Sequence, residues 1–239
     1  MTDWVALGRE AGAFLGYLVR DGAVDGPARA ASEAEVLRAL GAEGAPLRRI
    51  GEGTATRLPA RIIPQTAGDL SVLEQETPPD VISAWVRLWV IGLRAERPNW
   101  DGVICAFQGD VVHWLHVSAD EIVSSQSSLT PRLATALDVS GAAPDPEAVA
   151  EGLSRPERLA QWMRTAEVTG RADCALGALI GAELAAMRAY WLGQQVMVIG
   201  DSPLVPGYAA ALQVQGVPCE RSAPAQWITP GLLALAAVG

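Results

Sequence analysis

Between Gly102 and Gln126 the chain reads GVICAFQ, VVHWLHV and EIVSSQ, three stretches parted only by Gly109-Asp110 and Ser118-Ala119-Asp120. Connections this short leave one arrangement open, an antiparallel meander of three strands. The pattern then changes. A helix opens near Thr130-Pro131, with proline at an early helical position. The stretch SGAAPDPEAV is a loop leading into helical segments through Met163, and RADCALGALIGAELAAMRAYWLG is the clearest helix of the chain. Its Leu176, Leu179, Ile180, Leu184, Met187 and Trp191 form an apolar stripe, and Glu183 lies beside that stripe. A buried strand QVMVIG, a helix from Leu204 to Val214, a strand VPCER and a helix from Ile228 to Val238 complete the order. Three strands followed by alternating helices and strands confine this part to a mixed α/β layer.

The N-terminal part is sparser. WVALGREAGAFLGYLVRDGAV reads as two strands joined at Arg9 to Gly12, the second apolar on both faces, and Asp21-Gly22 supplies a turn. Ser32-Glu33-Ala34-Glu35 has capping-box spacing and starts a short helix. A brief strand, ARII, ends at Pro64, and Gln65 to Pro79 reads as a loop. Asp80 is placed to cap a helix through VISAWVRLWVIGLRA, where Val81, Trp85, Leu88, Trp89 and Gly92 fall at helical spacing. Arg97-Pro98-Asn99 breaks the chain, which predicts domains over 1–97 and 98–239. The later order, βββαβαβα, fits a ribonuclease-H-like layer, and the first part fits a reduced copy of the same plan.

Composition narrows the function. The formal charge is −9, the opposite of what a phosphate-tracking nucleic-acid surface needs. All 18 basic residues are arginine, so no lysine is available as a Schiff base or a phosphate-steering ammonium. Cys105, Cys174 and Cys219 are odd in number and far apart, which signals neither a disulfide framework nor a metal site. They read as three small buried hydrophobes. No apolar run is long enough for a membrane span, and MTDWVALGRE lacks the apolar core of a secretory signal, so a cytoplasmic protein is expected.

The segments PNWDGVICAFQGDVVHWLHV, GALIGAELAAMRAYW and VMVIGDSPLVPGYAAAL together resemble the 2-keto-3-deoxygalactonate kinase (2-dehydro-3-deoxygalactonokinase) family. The likeness spans essentially the whole chain, which is shorter than a typical member. It implies a two-lobed fold shared with actin, hexokinase and Hsp70, with a reduced N-terminal lobe. It also implies a role in carbohydrate metabolism: ATP and Mg²⁺ bound between lobes, and phosphoryl transfer to a hydroxyl of a sugar acid. Chemistry of that kind rests on positioning and charge stabilisation.

Motif by motif, this chain departs from the family. Where the family's first hairpin carries Asp-Trp-Gly-Ser/Thr-Thr, one register places Gly8-Arg9-Glu10-Ala11-Gly12, and a competing one keeps Asp3-Trp4. The second family hairpin, Pro-Gly-Thr-His-Thr/Cys-Lys-Trp, corresponds to Gln108-Gly109-Asp110-Val111-Val112-His113-Trp114. A family Thr-Gly-Glu corresponds to Thr130-Pro131-Arg132, which reverses the charge. A family segment with paired carboxylates falls near Ile82 to Leu88, here ISAWVRL. The resemblance leaves Gly109, Asp110, Gly200, Asp201 and Ser202 as candidate nucleotide contacts, and Thr130 and Arg132 as candidate sugar-acid contacts. It assigns no catalytic residue and no metal ligand. Gly200-Asp201-Ser202 sits between a strand and a helix, where backbone amides can face an anion. Gly181-Ala182-Glu183 and Met187-Arg188 match the family and read equally as packing and polar struts.

Three readings follow. The chain is a kinase-family fold that has shed its catalytic groups and acts as a binding, regulatory or assembly protein. Alternatively it is an active sugar-acid kinase with relocated ligands such as Glu10, Asp110 and Asp201. The third is a homo-oligomer whose partner subunit supplies what is missing, since the helix at Val81 to Leu93 carries tryptophan on more than one side. The only histidines, His113 and His116, alternate to opposite faces of one strand and cannot converge on one ligand. Gly109-Asp110 fits a two-residue II′ turn, which leaves little loop to surround a phosphate.

Overall fold

The computed structural model describes residues 3–238. The chain divides into two compact units, Met1–Trp100 with Ser118–Ser124 and Pro224–Gly239, and Asp101–Val117 with Ser125–Ala223. The chain crosses between these units more than once. Residues 118–124 and the last helix count with the first unit.

In the first unit, β1 (Trp4–Glu10), β2 (Ala13–Arg20), β3 (Ala23–Ala30), α1 (Glu33–Ala39) and β4 (Leu47–Ile50) build one sheet in the order β3-β2-β1-β4. The hairpins are antiparallel and β4 runs parallel to β1. Ala11 and Gly12 both have positive φ, 46° and 80°, the requirement of a tight I′ connection. That turn settles the register of the first hairpin: Glu10, Ala11 and Gly12 occupy its tip, whereas Asp3 lies at the far end of β1 beside Arg20. The capping box at Ser32 and Glu35 is present in full.

Then come β5 (Thr56–Arg57), β6 (Ala60–Arg61), β7 (Leu73–Gln75), β8 (Asp80–Ile82) and α2 (Ala84–Glu96). Here the sequence expectations need correction. The stretch read as a loop contains β7, and Asp80 belongs to β8 instead of capping the helix. Ser83 is the cap, its hydroxyl accepting from the Trp85 amide at 3.2 Å. Val81 consequently leaves the helical stripe and is 58% exposed. Trp85 and Trp89 are both buried in the chain's own interior, so neither offers an outward face to a second subunit.

The second unit begins with the meander, β9 (Gly102–Gln108), β10 (Val111–Ser118) and β11 (Glu121–Ser128), followed by α3 (Thr130–Ala136), α4 (Pro146–Ser154), α5 (Leu159–Thr169), α6 (Ala172–Ala186), α7 (Arg188–Trp191), β12 (Val196–Ile199), α8 (Val205–Val214) and β13 (Cys219–Ser222). Its strands lie in the order β13-β12-β9-β10-β11. β12 is parallel to both β9 and β13, while β10 is antiparallel to β9. This is the ribonuclease-H-like arrangement expected from the element order. The first unit repeats its opening strands and first parallel strand. The start of β11 pairs Glu121 and Ile122 with β6, inside the first unit.

The expected long helix is broken at Met187, where α6 ends and α7 begins. The last helix, α9 (Ala225–Ala236), returns to the first unit and packs on α2. The two helices approach so closely that a Cβ on Gly231 would meet the Leu88 carbonyl oxygen at 2.6 Å. Cys105 is fully buried as expected, whereas Cys174 and Cys219 are only half-buried.

Candidate functional site

The sheet of the second unit gathers most of the candidate residues at one edge. Strands β9, β11, β12 and β13 all run the same way, so the segments after their C-terminal ends adjoin one edge. These are Gly109-Asp110, Thr130 to Arg132, Gly200 to Ser202, and the residues after Ser222. In open α/β sheets, ligands are held outside the carboxyl ends of the strands.

The β9–β10 turn is as tight as the sequence implied. Gln108 pairs with Val111, leaving Gly109 and Asp110 as the whole connection. Gly109 has φ 55° and Asp110 is not among the positive-φ residues, as a II′ turn demands. Asp110 is exposed and lies 3.5 Å from the guanidinium of Arg132. The structure thus joins a candidate nucleotide contact to a candidate sugar-acid contact through one ion pair.

Gly200, at the end of β12, donates its amide to the Ser222 carbonyl at 3.2 Å. Packing supplies another reason for glycine here, because a Cβ would lie 2.6 Å from the Phe107 Cβ. Ser202 turns its hydroxyl back to accept from the Leu204 amide at 3.3 Å. Asp201, between them, is exposed. Two of the three residues are therefore engaged in ending the strand and starting α8.

Beneath this edge lies a polar cluster built on Glu183. Its carboxylate, 6% exposed in the middle of α6, accepts from Trp114 Nε1 at 2.7 Å, Ser128 Oγ at 2.5 Å and the Tyr208 hydroxyl at 2.5 Å. Burial, and then the adjacent Glu183 charge, push the Tyr208 phenol well above its ordinary value, so it stays a proton donor. Thr130 is buried, and its hydroxyl stands 3.5 Å from Ser128 Oγ. Glu183 thereby ties β10, β11, α6 and α8 together. Of the two functions its spacing allowed, the inter-element strut is the one the geometry displays.

His113 is buried and its Nδ1 lies 2.6 Å from Ser127 Oγ, while His116 is half-buried. In the first unit, Glu10 at the hairpin tip pairs with Arg29 at 3.0 Å. Trp85 Nε1 donates to the Arg9 carbonyl at 3.0 Å, fastening α2 to the end of β1. Among the described residues no three His, Cys, Asp or Glu side chains are grouped to hold a metal ion. No described helix is long and apolar enough to cross a membrane.

One feature escaped the reading of the sequence. Arg87, on α2, is 4% exposed, and among the described residues its side chain hydrogen-bonds to Thr56 and Ser71. The available signal was a lone arginine within an otherwise apolar helix, AWVRLWVIGL.

Comparison with known proteins agrees with the topology. A protein from Sinorhizobium meliloti, provisionally assigned as a 2-dehydro-3-deoxygalactonokinase, superimposes with a TM-score of 0.81 at 18% identity. The match covers 98% of each chain, so the compact length is shared with that relative. Component A of the (R)-2-hydroxyglutaryl-CoA dehydratase of Acidaminococcus fermentans is similar at a TM-score of 0.52 and 14% identity, covering 99% of this chain and 97% of that one. The activator of the 2-hydroxyisocaproyl-CoA dehydratase from Clostridium difficile, with bound ADPNP, gives 0.52 at 11% identity, covering 99% and 94%. These likenesses establish an actin-like ATPase fold. No curated protein matches the chain in sequence. The family model for 2-keto-3-deoxy-galactonokinases (DGOK) matches residues 75–235, more than half of the chain, and the protein belongs to that family.

Proposed function

We propose that this DGOK-family chain is a binding protein for a small sugar acid and has given up phosphoryl transfer. The observation that carries the reading is the Asp110–Arg132 pair at the sheet edge. A carboxylate that serves a magnesium ion needs room for the metal and its waters. Asp110 instead has a guanidinium beside it, at the position where the family places an acidic residue. That exposed pair is worth little as a stabilising contact. Its importance is the sign of the charge, since Arg132 suits a ligand carboxylate with two parallel N–H donors. Glu10, at the tip of the first hairpin, is likewise held by an arginine. This donor set does not fit the magnesium nucleotide that the family implies.

A second reading, a working sugar-acid kinase with relocated ligands, is favoured by Asp201, an exposed carboxylate at the end of β12. One experiment separates the two. Purified protein is incubated with ATP, Mg²⁺ and 2-keto-3-deoxygalactonate while ADP release is followed, and thermal shift is recorded against sugar acid and nucleotide separately. The expected result is no ADP above the protein-free rate, and a saturable sugar-acid shift that Arg132→Ala removes. Sustained ADP release that Asp110→Ala or Asp201→Ala abolishes would establish the kinase and overturn the binding reading.

A further inference from the structure

Arg87 is a buried cation. Among the described residues no Asp or Glu pairs with it; its side-chain hydrogen bonds go to the Thr56 hydroxyl at 3.2 Å, the Ser71 carbonyl at 3.2 Å and the Ser71 hydroxyl at 3.4 Å. All three leave from Nη1. The opposite edge of the guanidinium, Nε with Nη2, donates to nothing among the described residues, and Nε is a buried nitrogen without a partner. Burial lowers the group to about 10, so it remains charged at neutral pH. Two circumstances make this costlier. Arg87 is the fourth residue of α2, near the helix end that carries partial positive charge, and no acidic residue stands in that first turn. A buried ion without a counter-charge costs several kcal/mol, and arginine does not escape by losing its proton.

The geometry of the vacant edge indicates what would relieve the cost. Nε and Nη2 present the parallel pair of N–H groups that engages two oxygens of a carboxylate or phosphate together. Thr56 and Ser71, whose hydroxyls lie 2.9 Å apart, hold Nη1 and so fix the plane of the guanidinium. Ser71 is buried and Thr56 half-buried. Thr56 lies in β5 and Ser71 just precedes β7, strands of two and three residues whose few ladder bonds let them part. We propose that Arg87, its guanidinium held at Nη1 by Thr56 and Ser71, forms an oxyanion-binding site in the first unit, taking a carboxylate or phosphate group on its Nε/Nη2 edge. The site uses none of the residues of the sheet edge described above and does not rest on the function proposed there.

The test is thermal melting of the full chain against inorganic phosphate and, separately, pyruvate, each at ionic strength matched with sodium chloride. At a hundred times the dissociation constant, the preferred anion should raise the melting temperature by roughly 5–10 °C. Arg87→Met, which keeps the bulk and removes the charge, should abolish that saturable rise. Thr56→Val keeps the cation but removes one of the hydrogen bonds that fix its plane, and should weaken the anion about fivefold; it decides the matter if Arg87→Met does not fold. A response to phosphate alone identifies a phosphate site, and a response to pyruvate alone a carboxylate site. The proposal is overturned if neither anion gives a saturable rise in the unaltered protein. A rise that survives Arg87→Met, or an affinity unchanged by Thr56→Val, overturns it equally.

Discussion

Glu183→Ala is expected to lower the melting temperature by roughly 8–16 °C, from a loss of about 4 kcal/mol in a chain of this size. The substitution removes the common acceptor of Trp114, Ser128 and Tyr208 and leaves their donors inside the second unit. Trp114 and Tyr208 are fully buried and have no route to solvent, and the indole N–H cannot rotate away as a hydroxyl can. The cavity left by the missing side chain adds to the loss. Glu183→Gln keeps one acceptor oxygen and brings a donor toward groups that already donate, so an intermediate fall is expected. Calorimetric melting of both variants, with Tyr208→Phe in each background, gives the coupling directly. If Tyr208→Phe costs as much in the Glu183→Ala background as in the unaltered protein, the cluster does not act as a unit. The same variants bear on function. A strut should leave sugar-acid affinity within about threefold when measured well below the melting transition, whereas a ligand contact should change it by tenfold or more.

The second large effect lies in the first unit. Gly92→Ala is expected to cost about 3 kcal/mol or more and to lower melting by roughly 6–12 °C, even though alanine is the better helix former by nearly 1 kcal/mol. A Cβ at residue 92 would stand 2.8 Å from the Trp227 carbonyl carbon and 3.0 Å from its Cα, all of it backbone of α9. Backbone cannot swing aside as a flexible side chain does, so α2 and α9 must separate along their contact. Gly231→Ala presses on the reverse side of the same crossing and is expected to behave alike. Gly141→Ala serves as the control, since a Cβ there meets nothing within 4 Å. Equal melting of the Gly92 and Gly141 variants would show that the helices have slack.

How much of this was legible beforehand depends on how local the cause is. The β9–β10 hairpin was readable because alternation and a Gly-Asp turn are properties of adjacent residues. The Ser32 capping box was readable for the same reason. β3 was missed because AVDGPARA contains Gly26-Pro27, a pair that reads as a breaker. It is tolerated since β3 is the edge strand, and the register shifts near Gly16 and Leu18. β5, β7 and β8 are two or three residues long, and their pairing is imposed by distant neighbours, not by their own composition. Asp80 has the chemistry of a cap, but its pairing with Gln75 holds it in β8, and the role passes to Ser83.

The candidate site follows the same division. Gly109, Thr130 and Gly200 adjoin one sheet edge because strands that run the same way deliver their ends together. Nothing in the sequence pairs Asp110 with Arg132, or gives Glu183 three donors from three separate elements. Nor does the sequence reveal that Arg87 faces two hydroxyls and no carboxylate. Those facts depend on where strands cross and which helix face turns inward.

The return of α9 has a consequence for how the chain comes into being. The groove along Leu88 and Gly92 belongs to a helix completed by residue 96, yet its cover begins at Ala225. During synthesis the whole second unit is made in between, and loop-closure entropy delays contacts so distant in sequence. The second unit needs no residue after Ala223 to close. The first unit holds an uncovered apolar helix until Ala225–Ala236 has been made, which makes α2 the surface a chaperone would meet. The unit whose helix is made earlier is therefore the one completed later.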